Sequence, residues 1–387
     1  MISMTKARSK SLIPFNKPFI VGKELHYIAQ AVTLGQISGD GFYTQECAKL
    51  LEQTFNIPRI LLTPSCTAAL EMAAILCELK PGDEVILPSY TFVSTANAVV
   101  REGATPIFAD IRPDTLNIDE TRIEEAITDR TKAIFVVHYG GVACEMDTIN
   151  DIARRHQLQV VEDAAQGVNA FYKGKPLGSL GDMATYSFHE TKNYISGEGG
   201  ALCVNDRELI GRAEIIRDKG TNRQEFFRGH VDKYTWVDVG SSYVPSEIAS
   251  AFLYGQLEML DSISTRREQI YRFYERELAE LETEGLLRRP NIPAECTSNY
   301  HLFYILLKDH QTRDGLMQYL NDAGIKAVFH YIPLHTSPYG RKLISSPPKL
   351  PVTEELSGRL LRLPMFYDIK ESELQQVVDT IRSYFQQ

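Results

Sequence analysis

Residues 159–193 read QVVEDAAQGVNAFYKGKPLGSLGDMATYSFHETKN. Two apolar runs in this stretch, QVVEDAA (159–165) and MATYSFH (183–189), have the length and composition of buried strands. Both end in reactive groups. Asp163 closes the first run, and Lys192 follows the second, 29 residues further on. That interval holds one crossing loop and the next strand. A carboxylate at the end of an apolar strand is costly to bury unless a cation or a donor meets it. A lysine at the ligand end of a sheet, partly removed from water, has a depressed pKa and can attack a carbonyl as a free amine. Taken singly, each has an ordinary reading: a structural arginine would satisfy the aspartate, and most single lysines are surface groups.

Working outward, five further runs bounded by Gly, Pro or Asp have the same character: RILLTPS (59–65), DEVILPS (83–89), TPIFADI (105–111), TKAIFVVH (131–138) and GALCVND (200–206). Helix-patterned segments lie between the earlier ones: TAALEMAAILCEL (67–79), TRIEEAITD (121–129) and MDTINDIARRHQ (146–157). Strands alternating with helices predict an α/β fold with a large, seven-stranded, mostly parallel sheet covered on both faces. Beyond about residue 245 the pattern changes. Residues 246–282 carry helical periodicity over many turns. Strand-like YHLFYILL (300–307) and KAVFHYI (326–332) flank a helical TRDGLMQYLNDAG (312–324), and ESELQQVVDTIRSYFQ (371–386) reads as a last helix. The chain is thus expected to have a loose tail over 1–12, a large domain over 13–250, and a smaller α+β domain over 251–387 joined by a long helix.

With 387 residues and a net charge of −9, the chain lacks the basic balance of a nucleic-acid protein. No run approaches the ~18 continuous apolar residues of a membrane span, and the basic N-terminus has no apolar run behind it. Six cysteines without CxxC spacing read as free thiols in a reducing cytoplasm. His189-Glu190 begins like a zinc-protease helix, but Asn193 stands where the second histidine belongs, so no metal is expected. A nicotinamide site would need GxGxxG after the first strand, and TPSCTAAL has no glycine there.

In open α/β sheets, ligands sit beyond the carboxyl ends of the strands. The first run opens into Ser65-Cys66-Thr67 and a helix, whose N-terminus suits an anion, although plain N-capping is the simpler reading of these side chains alone. An anion cradle, a carboxylate (Asp163) and an amine (Lys192) at three strand ends together match pyridoxal 5′-phosphate. Its phosphate wants the helix N-terminus, its ring nitrogen a carboxylate, and its aldehyde a lysine for a Schiff base. Phe92, after the second run, is placed to stack on the ring, and GEGG (197–200) marks a tight turn with close backbone approach.

These motifs, with PSCTAALEMA, PSYTFVSTAN, VVEDAAQG, SFHETKN, GEGGA, VFHYIPLH and LRLPMFY in this order, resemble the DegT/StrS-type sugar aminotransferases. These are fold-type I (aspartate aminotransferase-like) pyridoxal-phosphate enzymes acting on nucleotide-linked keto sugars. The segments 141–149, 219–243 and 327–335 narrow the likeness to the branch that aminates dTDP-4-oxo-6-deoxy-D-glucose to dTDP-4-amino-4,6-dideoxy-D-galactose for surface polysaccharides. The resemblance implies that Lys192 binds the cofactor covalently and that Asp163 meets the ring nitrogen. Gln166 lies near the phenolic oxygen. Ser65, Cys66, Thr67 and Ser187 hold the phosphate, with Phe92 over the ring. His330 and Tyr331 lie near the sugar or nucleotide. It also implies L-glutamate as donor and a homodimer or larger assembly with shared active sites. Where many relatives have Gly-x-Asn-x-Arg, this chain has Gly240-Ser241-Ser242-Tyr243-Val244, so Ser242 takes the place of the asparagine that reaches the partner subunit's phosphate. Lys219, Arg223, Arg228 and Lys233 in an aromatic-rich stretch are expected to supply cations for the dTDP diphosphate, Lys219 and Arg223 foremost. A sister group of dehydratases has histidine where this chain has Lys192, which favours transamination. The gluco-forming and 3-oxo-sugar aminotransferases remain alternatives, and Lys192 with Asp163 argues against a non-catalytic regulator.

Overall fold

All seven apolar runs of the first half become strands of one sheet: β1 (Arg59–Thr63), β2 (Glu84–Pro88), β3 (Thr105–Ala109), β4 (Thr131–Val137), β5 (Gln159–Asp163), β6 (Met183–Ser187) and β7 (Gly200–Val204), in the spatial order β1-β7-β6-β5-β4-β2-β3. The computed structural model describes residues 12–344 and 346–386. Of the tail expected over 1–12, only exposed Leu12 falls within them. Neighbours pair in parallel except around β7, which runs antiparallel to both β1 and β6. Along each strand, alternate side chains enter opposite cores. Ile60 and Leu62 pack on one face with Leu51 and Phe55 of the helix Phe42–Phe55; Leu61 packs on the other with Ala69 and Met72. With both faces covered, a polar residue in a strand needs a hydrogen-bond partner inside the protein.

The helices are α1 (Glu24–Thr33), α2 (Phe42–Phe55), α3 (Cys66–Leu76), α4 (Val93–Arg101), α5 (Met146–His156), α6 (Ile210–Arg217), α7 (Glu247–Leu257), α8 (Leu260–Glu277), α9 (His310–Asp322) and α10 (Glu371–Phe385), with shorter ones between them. Residues from α8, α9 and α10 build another core with a small antiparallel sheet of β8 (Leu287–Arg288), β9 (Tyr304–Leu307) and β10 (Leu360–Arg362). Ile13 packs into this core and bridges to Ile325. All six cysteines are free; Cys66 and Cys296 are half-buried and the other four buried. No helix among the described residues is long and apolar enough to cross a membrane.

Three local expectations fail. Residues 121–129 form only the 3₁₀ turns Glu120–Arg122 and Glu124–Ala126, because Ile123 is the sole apolar residue there that is fully buried. The helical pattern over 246–282 is broken at Glu258–Met259: Leu253, Leu257, Leu260 and Ile263 serve the sheet core, whereas Ile270 and Tyr274 serve the other one. KAVFHYI (326–332) is not a strand. Val328 bridges to Arg362, and beyond it the Tyr90 hydroxyl takes the His330 carbonyl that a ladder would have used.

The connection from β5 to β6 is governed by Glu162. Its side chain is fully buried and accepts from the N–H groups of Gly178 (2.9 Å), Leu180 (2.7 Å) and Gly181 (2.7 Å) and from His138 Nε2 (2.9 Å). His138 Nδ1 accepts from the Cys144 N–H, which leaves Nε2 as the donor. Glu162→Ala should therefore strand four buried donors and cost about 3–5 kcal/mol of stability. Urea unfolding followed by circular dichroism would check this, and a loss below about 1 kcal/mol would remove Glu162 from that role.

Candidate active site

Because β7 is antiparallel to β6, the loop joining them (188–199) returns to the same edge of the sheet instead of crossing a face. Buried Phe188, Tyr194 and Ile195 root it, and three short backbone bonds tie it: Phe188 N–H to Gly199 O (2.8 Å), Ser196 N–H to Phe188 O (2.7 Å) and Glu190 N–H to Gly197 O (2.8 Å). Lys192 sits at its turn, with its N–H on His189 O at 2.8 Å. Gly197 has φ +83°, and a Cβ on Gly200 would stand 2.4 Å from the Cys66 nitrogen. The expected glycine turn is thus real, and Gly200 lets β7 enter against the start of α3.

A cavity of about 630 Å³ opens at this edge. Ser65, Cys66, Thr67, Phe92, Asp163, Gln166, Ser187, Lys192, His330 and Tyr331 all border it. Desolvation pushes the Lys192 amine below the ordinary lysine range, and nearby Arg362 adds to this against the opposing pull of Cys66 and Asp163. Asp163 is buried; its Oδ2 accepts from Thr95 Oγ1 at 2.6 Å and its Oδ1 from the Ala165 N–H at 3.1 Å. The structure supplies donors for this carboxylate instead of a structural arginine.

Ser65 does cap α3, accepting from the Ala68 N–H at 3.1 Å, while Thr67 and Ser94 share a hydroxyl contact at 2.8 Å. The first N–H groups of the helix have no intrahelical acceptor. Burial, then the Asp163 charge, raises the Cys66 thiol to about 12, so it stays protonated at neutral pH. Ser187 lies opposite Gly200 in the β6–β7 register. Gln166 is fixed between the Gly140 N–H (2.7 Å) and the Tyr331 hydroxyl (3.2 Å). Phe92 is exposed at the rim.

His330 Nδ1 meets the Tyr139 hydroxyl at 3.0 Å, and its ring lies 3.4 Å from that of Tyr331 between centroids. Burial, followed by the charges of Arg362 and Lys192, holds His330 well below the usual histidine value. The same holds for buried His301, through burial and then Lys192 and Arg267; its Nδ1 donates to Asn193 Oδ1 at 2.9 Å.

Ser242, Lys219 and Arg223 are not brought to this cavity within one chain. They border another cleft, of about 930 Å³, with Asp40 and Arg217. There Lys219 pairs with Asp218 at 3.1 Å, and Arg223 lies 3.9 Å from the same carboxylate. Arg228 is held by Glu214 and Glu225. Sequence reasoning assigned no role to Thr95, His301, Arg362 or Phe15. Thr95 stood in the quoted PSYTFVSTAN and Arg362 in LRLPMFY. Arg362, like Asp163, is a charge at the end of an apolar strand.

With this geometry in hand, the profile of the DegT/DnrJ/EryC1/StrS aminotransferase family matches residues 18–382. The chain is 33% identical to the GDP-perosamine synthase of Caulobacter vibrioides over 93% of this chain and 95% of that one. It is 32% identical to the spore coat polysaccharide biosynthesis protein SpsC of Bacillus subtilis, over 96% of each. The pyridoxal-phosphate form of the putative sugar aminotransferase Spr1654 of Streptococcus pneumoniae superposes with a TM-score of 0.89 at 25% identity, covering 97% of this chain and 99% of that one. The fold is fold-type I, and the cofactor is pyridoxal 5′-phosphate. The residues present fit it: a desolvated amine, a buried carboxylate and a helix N-terminus approached closely at Gly200 border one cavity.

The amine's displacement has a stability consequence. Lys192 is lowered when folded, so the unfolded chain binds more protons between the folded value and the usual 10.5. Stability then rises with pH across that window. In cofactor-free protein, Lys192→Met should raise the denaturant midpoint near neutral pH, and the gain should shrink as pH approaches the ordinary lysine value. A variant less stable than wild type at neutral pH would contradict the desolvation argument.

Proposed function

We propose that this chain, which belongs to the DegT/DnrJ/EryC1/StrS aminotransferase family, moves an amino group from L-glutamate to C4 of dTDP-4-oxo-6-deoxy-D-glucose, giving dTDP-4-amino-4,6-dideoxy-D-galactose and 2-oxoglutarate. The observation that carries the reading is one cavity bordered by Lys192, Asp163, His330 and Tyr331. The likeness to a polysaccharide biosynthesis protein supports a place in surface polysaccharide synthesis.

Asp163 would hold the ring nitrogen of the cofactor, the Ser65–Thr67 turn with Ser187 its phosphate, Phe92 its ring face, and Gln166 would lie near its phenolic oxygen. When bound, pyridoxal phosphate supplies an aldehyde that accepts the amino group and a ring that draws off the electrons freed beside it. The chain's own part is proton handling. Desolvation favours the free amine of Lys192, whose Nζ takes the proton from the donor's Cα and later delivers one to C4 of the sugar. The face of C4 that it addresses fixes an axial or an equatorial amine. Thr95 and the Ala165 N–H hold the Asp163 carboxylate in one orientation, so no reorganisation is needed at the moment of reaction. His330 and Tyr331 would line the sugar.

We place Ser242, Lys219 and Arg223 across a homodimer or larger assembly, where they would serve the partner's phosphate and the dTDP diphosphate. Exposed Phe227, Trp236, Val237 and Val239 beside them support a subunit contact there.

The test is to incubate the pure protein with pyridoxal phosphate, glutamate and dTDP-4-oxo-6-deoxy-D-glucose and read the product by NMR. An axial C4 amine is expected. An equatorial amine, or an amine at C3, would reassign the product, and turnover only with a GDP-linked sugar would reassign the nucleotide. Lys192→Ala should abolish turnover and the cofactor's bound absorbance. Asp163→Asn should lose about a hundredfold or more in rate. Wild-type rates in either variant would remove the role assigned to that residue.

A further inference from the structure

We infer that Arg362, braced by Phe15, receives a carboxylate of the amino-acid donor; this rests on the transamination reading above. Arg362 ends β10. On one side Tyr304 of β9 faces it in the ladder. On the other its N–H and carbonyl exchange bonds with Val328 at 2.8 and 3.2 Å. Its backbone is therefore held from both sides, and the side chain enters the cavity that Lys192, His330 and Tyr331 also border. The guanidinium lies over the Phe15 ring, 4.6 Å from its centroid. Phe15 is in turn fixed by the Met365 N–H on its carbonyl at 3.2 Å.

Arg362 is half-buried, and it lacks the partners that the buried arginines of this chain have. Its Nε is buried with no hydrogen-bond partner, and no ion pair holds the group among the described residues. Arg217, by contrast, bonds Asp40 and the Leu62 carbonyl, and Arg267 bonds the carbonyls of Tyr300 and His301. Of the carboxylates bordering the cavity, Asp163 is engaged by Thr95 and Ala165, and exposed Glu198 lies 3.7 Å from His189. A planar fork of donors beside a lysine and two histidines, with no anion of its own, is built for an anion from outside.

Three anions enter such a cavity: the cofactor phosphate, the nucleotide diphosphate and a donor carboxylate. The charge of Arg362 falls on Lys192, His330, His301 and Tyr331. Cys66, at the helix N-terminus suited to the phosphate, feels Asp163 and Lys192 instead. A nucleotide diphosphate is bulky and strongly hydrated, and suits a cavity mouth better than a buried Nε. An amino acid carries its carboxylate one carbon from its amine, so a cation that borders the same cavity as Lys192 suits it. In the second half-reaction, hydroxyls of the sugar can accept from the same fork.

The test uses the pyridoxal-phosphate-loaded enzyme and glutarate, an unreactive dicarboxylate, as probe. Calorimetry should show that Arg362→Ala binds glutarate about a hundredfold more weakly than wild type. In the donor half-reaction, followed by cofactor absorbance, its KM for glutamate should rise by a similar factor while kcat changes far less. Arg362→Lys should recover part of the loss. Phe15→Ala should raise the same KM about tenfold, and Phe15→Trp should restore it, which a merely structural role would not do. Unchanged glutarate binding in folded Arg362→Ala, loss of cofactor instead of donor, or a raised KM for the sugar nucleotide alone would each overturn the assignment. If Arg362→Ala does not fold, Arg362→Gln takes its place. A wild-type enzyme that binds glutarate through Arg362 but takes no amino group from any amino acid would remove the transamination reading and leave the carboxylate site standing.

Discussion

Six strands of the large sheet run one way and β7 runs against them, and the place of Lys192 beside the other strand ends follows from that reversal. Parallel neighbours need a crossover that leaves the ligand edge and comes back at the opposite one. Antiparallel neighbours do not, so the whole of 188–199, with Lys192 at its turn, stays where the strands end. The same reversal brings the start of β7 against the first residues of α3, between Ser187 and Thr63 in register. Only a residue without a Cβ fits there, since an added carbon would press on the Cys66 backbone. Amine, carboxylate and helix N-terminus thus meet at one edge as a consequence of topology, with Gly200 as its steric condition.

Bringing these groups together takes them out of water, and the chain answers that cost in two ways. Bases are driven toward neutrality: Lys192, His301 and His330 all lie below their ordinary values, with burial as the leading cause. Carboxylates are given donors. Glu162 collects three backbone N–H groups and a histidine, and Asp163, the next residue on the same strand, collects a hydroxyl and an N–H. Because side chains alternate along a strand, the two carboxylates face opposite sides of the sheet. One anchors the loop into β6 and the other is presented to the cavity. Arg362 borders the same cavity with its buried Nε unpartnered.

What could be read in the sequence follows from the same physics. A strand buried on both faces is a continuous apolar run, so all seven were visible, and a charge at the end of such a run was visible as a cost that needs explaining. Asp163 and Lys192 were found that way. Arg362 carries the same signal, a charge ending an apolar strand, and was passed over; Phe15 and His301 carry none, since tertiary packing alone brings them to the cavity. The strand expected over 326–332 was lost for a related reason: Tyr90 and Tyr139 bind the backbone carbonyl and ring of His330 from outside, and the local pattern carries no trace of them. Lys219, Arg223 and Ser242 were conspicuous as residues, but within one chain they border a different cleft from Lys192, and local composition carries no trace of which cleft a loop lines.

The proposed reaction asks one cavity to take two unlike partners in turn, a small charged amino acid and a large uncharged ring on a nucleotide. The two walls differ accordingly. The wall carrying His330 and Tyr331 is pinned to the end of β2. Buried Ser89 accepts the Leu334 and His335 N–H groups on its carbonyl and hydroxyl, and its hydroxyl also contacts His335 Nδ1 at 2.7 Å. On its far side His335 meets Glu354 at 3.2 Å. Aromatic faces fixed in this way present a constant shape, which suits orienting a sugar ring over the cofactor, where a tilt of the ring would change the face that Lys192 addresses. Arg362 reaches the cavity from β10 on a long side chain that rests on Phe15. That wall is set by charge more than by shape, and a guanidinium can pair with a carboxylate and then with hydroxyls without its neighbours moving. Shape for the acceptor and charge for the donor let a single pocket serve both halves of a transamination.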